Sequence, residues 1–548
     1  MPHVDLQSVL TPSALDCDVC IIGTGPAGCT LARELSNTDL RVLLLESGGF
    51  DRQERADALN EIKSVGRNRV LNQWEVRNRI VGGSSHTWTG RCAAFDEIDF
   101  ERRDWLSHTG WPLTLDHLTP YLERSRSYLG LGFGTGFSDD RFWKLAGQAP
   151  PANRPDPNHL LPFFWQLSRD ELSRRDFMRF GQHLLRHLGE NVTLVTHATV
   201  LRIHTNDAGS MVTSLDVISP DKRSHRIKAR TIVVCAGGIE NARLLLASDA
   251  RVRGGLGNAN DLVGRFLMDH PRDTVGVFPG VSRRLRKRFL LYKVKSATGE
   301  NRFLRGFRLS PELQRAEHLV NCSAFVREVI APDDPWSAFI RLLNRKGHLR
   351  RDSLTIASHP RLFSRGLYNY FLARKGTPHK LKRLELVCMC EQAPDPDSRI
   401  TLSDQRDSFG KRISQIDWRT HEVEARTIRR MATLVSAHFA SLGEVPPRLD
   451  AWIARGEPFP PNSFPDVAHP MGTTRMADSP CHGVVDRHCQ VYGTRGLYIA
   501  GSSTFPTGGH CNPTQMIVAL AIRLADTLKQ RLLGRLPFEI DAATGTDG

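Results

Sequence analysis

No apolar run in this chain of 548 residues approaches the ~18 consecutive residues that a membrane-spanning helix requires. The opening stretch MPHVDLQSVLTPSALD has neither a basic n-region nor an apolar core, so no secretory leader is expected. A cytoplasmic location without a transmembrane segment follows as the expectation. Cysteine is sparse: eleven residues, an odd number without regular spacing, point to reduced thiols rather than a disulfide framework. The CxxC formed by Cys17 and Cys20 lies in an apolar run, where residues three apart on a strand face opposite sides. They are not expected to share a metal, and no metal is expected elsewhere. Acidic residues are also short, 59 against 74 Lys and Arg, for a formal charge of +15. The excess is mostly scattered arginine, denser in SRRLRKRF (282–289) and LNRKGHLRRD (343–352). Without an aromatic-rich RNA motif or zinc-finger spacing, this charge reads as solvated surface rather than a nucleic-acid interface.

What is present is an ordinary globular composition, 40% hydrophobic and 24% charged, in a chain long enough for two or more cores. DCDVCIIGTGPAGCTLARELSNTDLRVLLLESGG, from Asp16, parses as strand, glycine loop, helix and strand, a βαβ unit of doubly wound type. Two further strand–loop–helix runs follow, at 225–248 and 495–526, so one nucleotide-binding domain is assembled from distant segments. Between them TVGVFPG, RFLLYKVKS, HLVNCSAFVRE, RLELVCMCEQ, RITLSD and QIDWRT read as short strands of a large, mostly antiparallel sheet. Within that region 333–376 is helical and basic, read as an ordinary covering of helices, with a lid or partner surface as the alternative.

Gly23, Gly25 and Gly28 form GxGxxG after a buried strand and at the start of a helix, the context that gives the motif meaning. The first glycine makes the turn, the second admits a pyrophosphate to the backbone, and the third lets helix pack on strand. Glu46, 23 residues after Gly23, is placed to accept hydrogen bonds from ribose hydroxyls. A carboxylate there disfavours a 2′-phosphate; NAD and FAD stay open at this point. Near the other end, GGHCNPTQ (508–515) sets Asn512 before Pro513, and with Gln515 it resembles a helix cap.

Further motifs occur in order: NRIVGGSSHTWTGRCAAFDEIDF (78–100), AGGIENARLLLAS (236–248), GLGNANDLVGRFLMDHP (255–271), HPMGTTRM (469–476) and AGSSTFPTGGHCNPTQ (500–515). Together with ESGG at 46–49, they make the chain, from about residue 16 to 530, resemble the glucose-methanol-choline (GMC) family of FAD oxidoreductases, and within it the bacterial sugar- and polyol-oxidising branch. The resemblance implies an α/β fold with a Rossmann-like FAD-binding domain, here 1–110, 190–275 and 465–548, and a substrate domain on a mostly antiparallel sheet with covering helices, here 111–189 and 276–464. It implies bound FAD, contacted by Gly83, Ser84, Ser85, His86, Trp88, Val200, Ala236, Gly237, Gly501, Ser502, Pro513 and Thr514 as well as by the GxGxxG glycines and Glu46.

The resemblance also implies alcohol oxidation. A hydride passes from carbon to the flavin while a base, His469 in His-x-x-Gly-Thr, takes the hydroxyl proton, and Asn512 partners it. Imidazole chemistry agrees: a neutral ring accepts a proton near physiological pH, and an amide can donate to the developing alkoxide. Many relatives carry two adjacent histidines before MGT; here Pro470 takes the second place. Pyranose oxidases of this family attach FAD through a histidine directly before tryptophan, where this chain has Thr87, so His86 is expected as a non-covalent neighbour of the flavin. His510 is expected beside the flavin and Cys511 in packing or lining the pocket. The partners are a small hydroxylated substrate and an electron acceptor, with oxygen, a quinone and a redox protein all open. Two competing readings are a non-redox lyase on the same scaffold and a basic flavin-binding module that recruits an acidic partner.

Overall fold

The computed structural model describes residues 1–8, 15–67, 69, 73–134, 139–170, 176–289, 291–296, 299–345, 347–372, 377–458, 460 and 464–534. Three sheets carry the described residues. The first is built on five strands that run parallel in the order Val192–Thr196, Val42–Leu45, Cys17–Ile22, Ser224–Val234 and Leu497–Ile499. Four of them read as near-continuous apolar runs in sequence because both faces are covered. The short strand His3–Asp5 extends one edge in parallel, while Val212–Ile218 and Thr199–Thr205 add an antiparallel margin on the other. The helices Pro26–Glu34 and Thr514–Leu533 pack on each other against this sheet, and Leu115–Leu129 lies against the latter.

The second sheet is antiparallel throughout. Its order is Arg448–Leu449, Arg272–Val277, Leu381–Cys390, Cys322–Ile330, Gly299–Leu309, Leu160–Leu167 and Arg91–Cys92, with Leu291–Ser296 paired to Gly299–Leu309. The helix Glu422–Ser441 closes one face, its Phe439 ring meeting Phe278, Phe289 and Phe307. Two long strands, Leu160–Leu167 and Gly299–Leu309, escaped the sequence reading.

Two expected members of this sheet belong elsewhere. Arg399–Arg406 and Arg412–Asp417 form a hairpin that takes Ile62–Ser64 as its third strand. The hairpin lies under the helix Gly237–Ala247, where Arg243 Nε donates to the Arg412 carbonyl at 2.8 Å. Their alternating pattern was right for strands, but a pattern does not name the partner strand. Among the cysteines, ten are buried and Cys481 is exposed, all with free thiols. The Cys17 thiol donates to the Lys228 carbonyl at 3.8 Å, while the neighbouring Cys17, then burial, pushes the Cys20 thiol up. No helix among the described residues is long and apolar enough to cross a membrane.

Candidate active site

A cavity of about 330 Å³ runs from the GxGxxG turn, past the Gly83–Ser85 turn, to the segment 467–470 and the start of the last helix. Of the residues expected to hold a cofactor or do chemistry, all but Gly28, His86 and Asn512 line it. Gly23 turns the chain at φ +103°, and a Cβ there would lie 2.7 Å from the Cys235 carbonyl oxygen. Gly28 serves packing, since a Cβ would lie 1.9 Å from the Gly23 carbonyl oxygen. Gly25, Gly237 and Gly501 behave differently: a Cβ on any of them would project into open space with no protein atom within 4 Å. The backbone has left that space for something other than itself.

The donors at this end fit a dinucleotide. The helix Pro26–Glu34 starts at the cavity wall with an extended Gly25 and no side-chain cap, leaving first-turn N–H groups for an anion. The Glu46 carboxylate sits at the end of its strand, accepting from Thr24 N at 3.2 Å, Gly48 N at 3.0 Å and the Thr24 hydroxyl. Burial pushes its carboxyl above the ordinary range despite those donors. A charged group missed in the sequence lines the cavity beside Val200: Glu240 binds Arg77 at 2.8 Å, Arg79 at 3.0 Å and Arg243 at 3.3 Å. Lys411 Nζ donates to the Val200 carbonyl at 3.4 Å, and burial lowers its ammonium to about 7. Glu240 and Arg243 lie in ENARLLL, inside a quoted motif, so the signal was present.

At the other end stands His469. Its Nε2 lies 3.4 Å from Asn512 Nδ2, and its Nδ1 lies 2.9 Å from Nδ1 of His270, a residue that sequence reasoning passed over within MDHP. His270 is fully buried, and its Nε2 faces the Gly509 and Gly508 carbonyl oxygens at 2.9 and 3.2 Å. Carbonyls only accept, so His270 Nε2 carries a proton. Burial lowers His270 from its ordinary value, so the ring is neutral and its Nδ1 is bare. His469 must then donate from Nδ1, which leaves a lone pair on its Nε2. Burial, then the neighbouring His270, lower His469 to about 3, so this ring is neutral as well. A second histidine therefore meets His469 despite Pro470, from 199 positions upstream.

Asp269 holds the backbone of this corner. Its Oδ1 accepts from His270 N at 2.8 Å, Val467 N at 3.1 Å and His469 N at 3.1 Å. Its Oδ2 takes Arg69 at 2.5 Å; burial pulls the carboxyl up, but the guanidinium outweighs it and the value ends below the ordinary range. Asn512 makes no helix cap: the last helix starts after Pro513 without a side-chain cap, and Asn512 Oδ1 is buried without a partner. His86 Nε2 is bonded to the Val81 carbonyl at 2.9 Å and stands off the cavity wall. His510 is likewise off the wall, its ring 4.6 Å from that of Phe163 and its Nδ1 3.6 Å from Asp96 and 3.9 Å from Asp99. His510, expected beside the flavin, is thus held away from the cavity lining, whereas the Gly509 carbonyl that precedes it accepts from His270 at 2.9 Å.

Comparison with known proteins relates the chain to others by sequence and by fold. Residues 394–521 match the model of the GMC oxidoreductase C-terminal domain, and residues 18–258 match that of an FAD dependent oxidoreductase. The chain is 24% identical to 2-methyl-1,2-propanediol dehydrogenase of Mycolicibacterium austroafricanum, over 95% of this chain and 97% of that protein. It is 22% identical to the fructose dehydrogenase large subunit of Gluconobacter japonicus, over 95% of this chain and 99% of that one. In fold it is similar to pyridoxine 4-oxidase from Mesorbium loti, with a TM-score of 0.55 and 18% identity, over 95% of this chain and all of the other. With the glycine cradle and these two domains in one chain, the protein is an FAD-dependent oxidoreductase that carries a GMC oxidoreductase C-terminal domain.

Proposed function

We propose that the protein oxidises a CH–OH group of a sugar, polyol or related hydroxylated metabolite to a carbonyl, with His469 as the base. The observation that carries this reading is the bare Nε2 of His469, a residue of the cavity wall, left by the bond from its Nδ1 to His270 and turned toward the amide of Asn512. FAD, when bound, supplies the acceptor for the hydride. It would be held by the Gly23–Gly28 turn, Glu46, the Gly83–Ser85 turn and the start of the last helix at Pro513 and Thr514. The substrate hydroxyl would give its proton to His469 Nε2 while Asn512 Nδ2 donates to the oxygen. That pairing puts a base and a donor on one atom, the requirement for stabilising an alkoxide as it forms. Relatives named for a diol, for fructose and for 6'''-hydroxyparomomycin C support the substrate class, and both oxidases and dehydrogenases occur among them.

Anaerobic addition of a panel of sugars and polyols, read by flavin absorbance near 450 nm, tests the reading. Bleaching by at least one is expected, and replacing His469 with Ala should slow it by roughly 10²–10⁴ with FAD still bound. Bleaching by none, or an unchanged rate in the variant, rejects the proposal.

A further inference from the structure

The helices Pro335–Leu343, Leu349–Ala357 and Pro360–Leu367, followed by a π-helical turn Tyr368–Leu372, occupy most of the basic stretch read as an ordinary covering. Residues 346 and 373–376 of that stretch lie outside the described residues. The helices pack on one another through rings, with Trp336 5.4 Å from Phe339 and 5.2 Å from Tyr370, and Phe339 5.4 Å from Phe363. That inner contact leaves much apolar surface outside it. Leu349 is 75% exposed, Leu372 74%, Leu354 70%, and Leu343 and Phe371 62% each. Seven of the fifteen exposed large apolar side chains among the described residues fall between 343 and 372. Scattered exposed leucines need no explanation, but a concentration of them does.

Charge is concentrated in the same place. Residues 333–376 hold nine Arg and Lys against three Asp, which is +6 of the formal +15 of the whole chain. All three acids are engaged: Asp333 with Lys380 and Asp352 with Arg341, each at 2.5 Å, and Asp334 with His379 at 2.9 Å and Ser337 N at 2.8 Å. Arg345, Arg350, Arg361 and Arg365 are exposed and form no ion pair among the described residues. A nucleic acid would satisfy these arginines and leave the leucines in water; an apolar protein partner would do the reverse. An anionic membrane surface satisfies both, because its phosphates meet the cations while its acyl boundary takes the apolar side chains. No helix here can span a bilayer, so the contact lies in the plane of the surface.

We propose that the helical segment 335–372 docks the protein on an anionic lipid bilayer, with Leu349, Leu354 and Phe371 entering the headgroup boundary and the unpaired arginines holding lipid phosphates. The inference is independent of the oxidation chemistry. The test is sedimentation of the FAD-loaded full-length protein with vesicles of phosphatidylcholine alone, or of phosphatidylcholine mixed with phosphatidylglycerol, at low and high salt. Capture by the mixed vesicles and release by salt are expected. The variant R350Q/R361Q/R365Q should lose affinity by about fivefold per arginine, roughly 10²-fold together. The variant L349S/L354S/F371S should lose capture too, and because all these residues are exposed both variants should keep their flavin absorbance. No capture, equal capture by neutral vesicles, or wild-type capture of the arginine variant would overturn the proposal. So would a dimer that the leucine variant dissolves while vesicles bind neither form.

Discussion

Replacing His270 with Phe is the sharpest test of the histidine chain. The substitution keeps a ring of similar size in a fully buried site and removes the acceptor 2.9 Å from His469 Nδ1. His469 can then keep its proton on an Nδ1 without a partner, at a cost of about 1–3 kcal/mol for a buried donor. Or it can move the proton to Nε2, the atom that has to be bare. Either way the competent tautomer is disfavoured by that amount, so the rate of flavin reduction should fall roughly 5- to 150-fold. FAD affinity should hold, because His270 does not line the cavity. Gln at the same position can accept with its carbonyl from His469 and donate with its amide to the Gly509 carbonyl, so it should recover much of the loss. The assay is anaerobic stopped-flow absorbance at saturating substrate, expressed per bound flavin, with thermal melting measured alongside. A purely structural role for His270 would lower the melting temperature and leave the rate per bound flavin unchanged. Wild-type reduction in the Phe variant, or a Gln variant as slow as Phe, would refute the tautomer argument.

Asn512→Asp should also slow reduction, because a carboxylate repels the charge developing on the substrate oxygen; a wild-type rate would remove Asn512 from the reaction. With His469 lowered to about 3 by burial, reduction should stay flat with pH down to about 4, and an acid limb near 6.5 would show that the ring is solvated in the working enzyme. Two of the GxGxxG glycines should separate: Gly28→Ala drives a Cβ into the Gly23 carbonyl at 1.9 Å and should prevent folding, whereas Gly25→Ala places its Cβ in open space and should fold with weakened FAD binding. Equal behaviour of the two by melting and flavin absorbance would contradict the cradle. Burial lowers His510 to about 4, so it is neutral in the fold while the unfolded chain takes up a proton below about 6.5. Stability should therefore fall as pH drops from 6.5 to 4, by about 3 kcal/mol from this residue. Denaturant melts of His510→Gln should show a shallower fall, and an unchanged slope would exclude His510 as its source.

What could be read from the chain in advance was whatever the chain encodes within a few dozen residues. The glycine turn, the acid at the end of the second strand and the Pro-Thr start of the last helix are each set by local backbone needs. Their positions on the cavity wall follow once the parallel sheet closes. The hairpin 399–417 was legible as strands but not as to its sheet, because its third strand, Ile62–Ser64, lies more than three hundred positions away. Adjacency misled in the opposite direction. His510 and Asn512 are two residues apart, yet one faces Phe163 and Asp96 and the other His469. Conversely, His270 and His469 are 199 positions apart, and only the meeting of the two segments on Asp269 makes them neighbours. The nitrogen proposed to react belongs to that meeting rather than to either motif. His-x-x-Gly-Thr supplies an imidazole, but which of its nitrogens is free is decided by a proton that the Gly508 and Gly509 carbonyls hold on a different ring. A motif can name the base; the choice of atom comes from the fold.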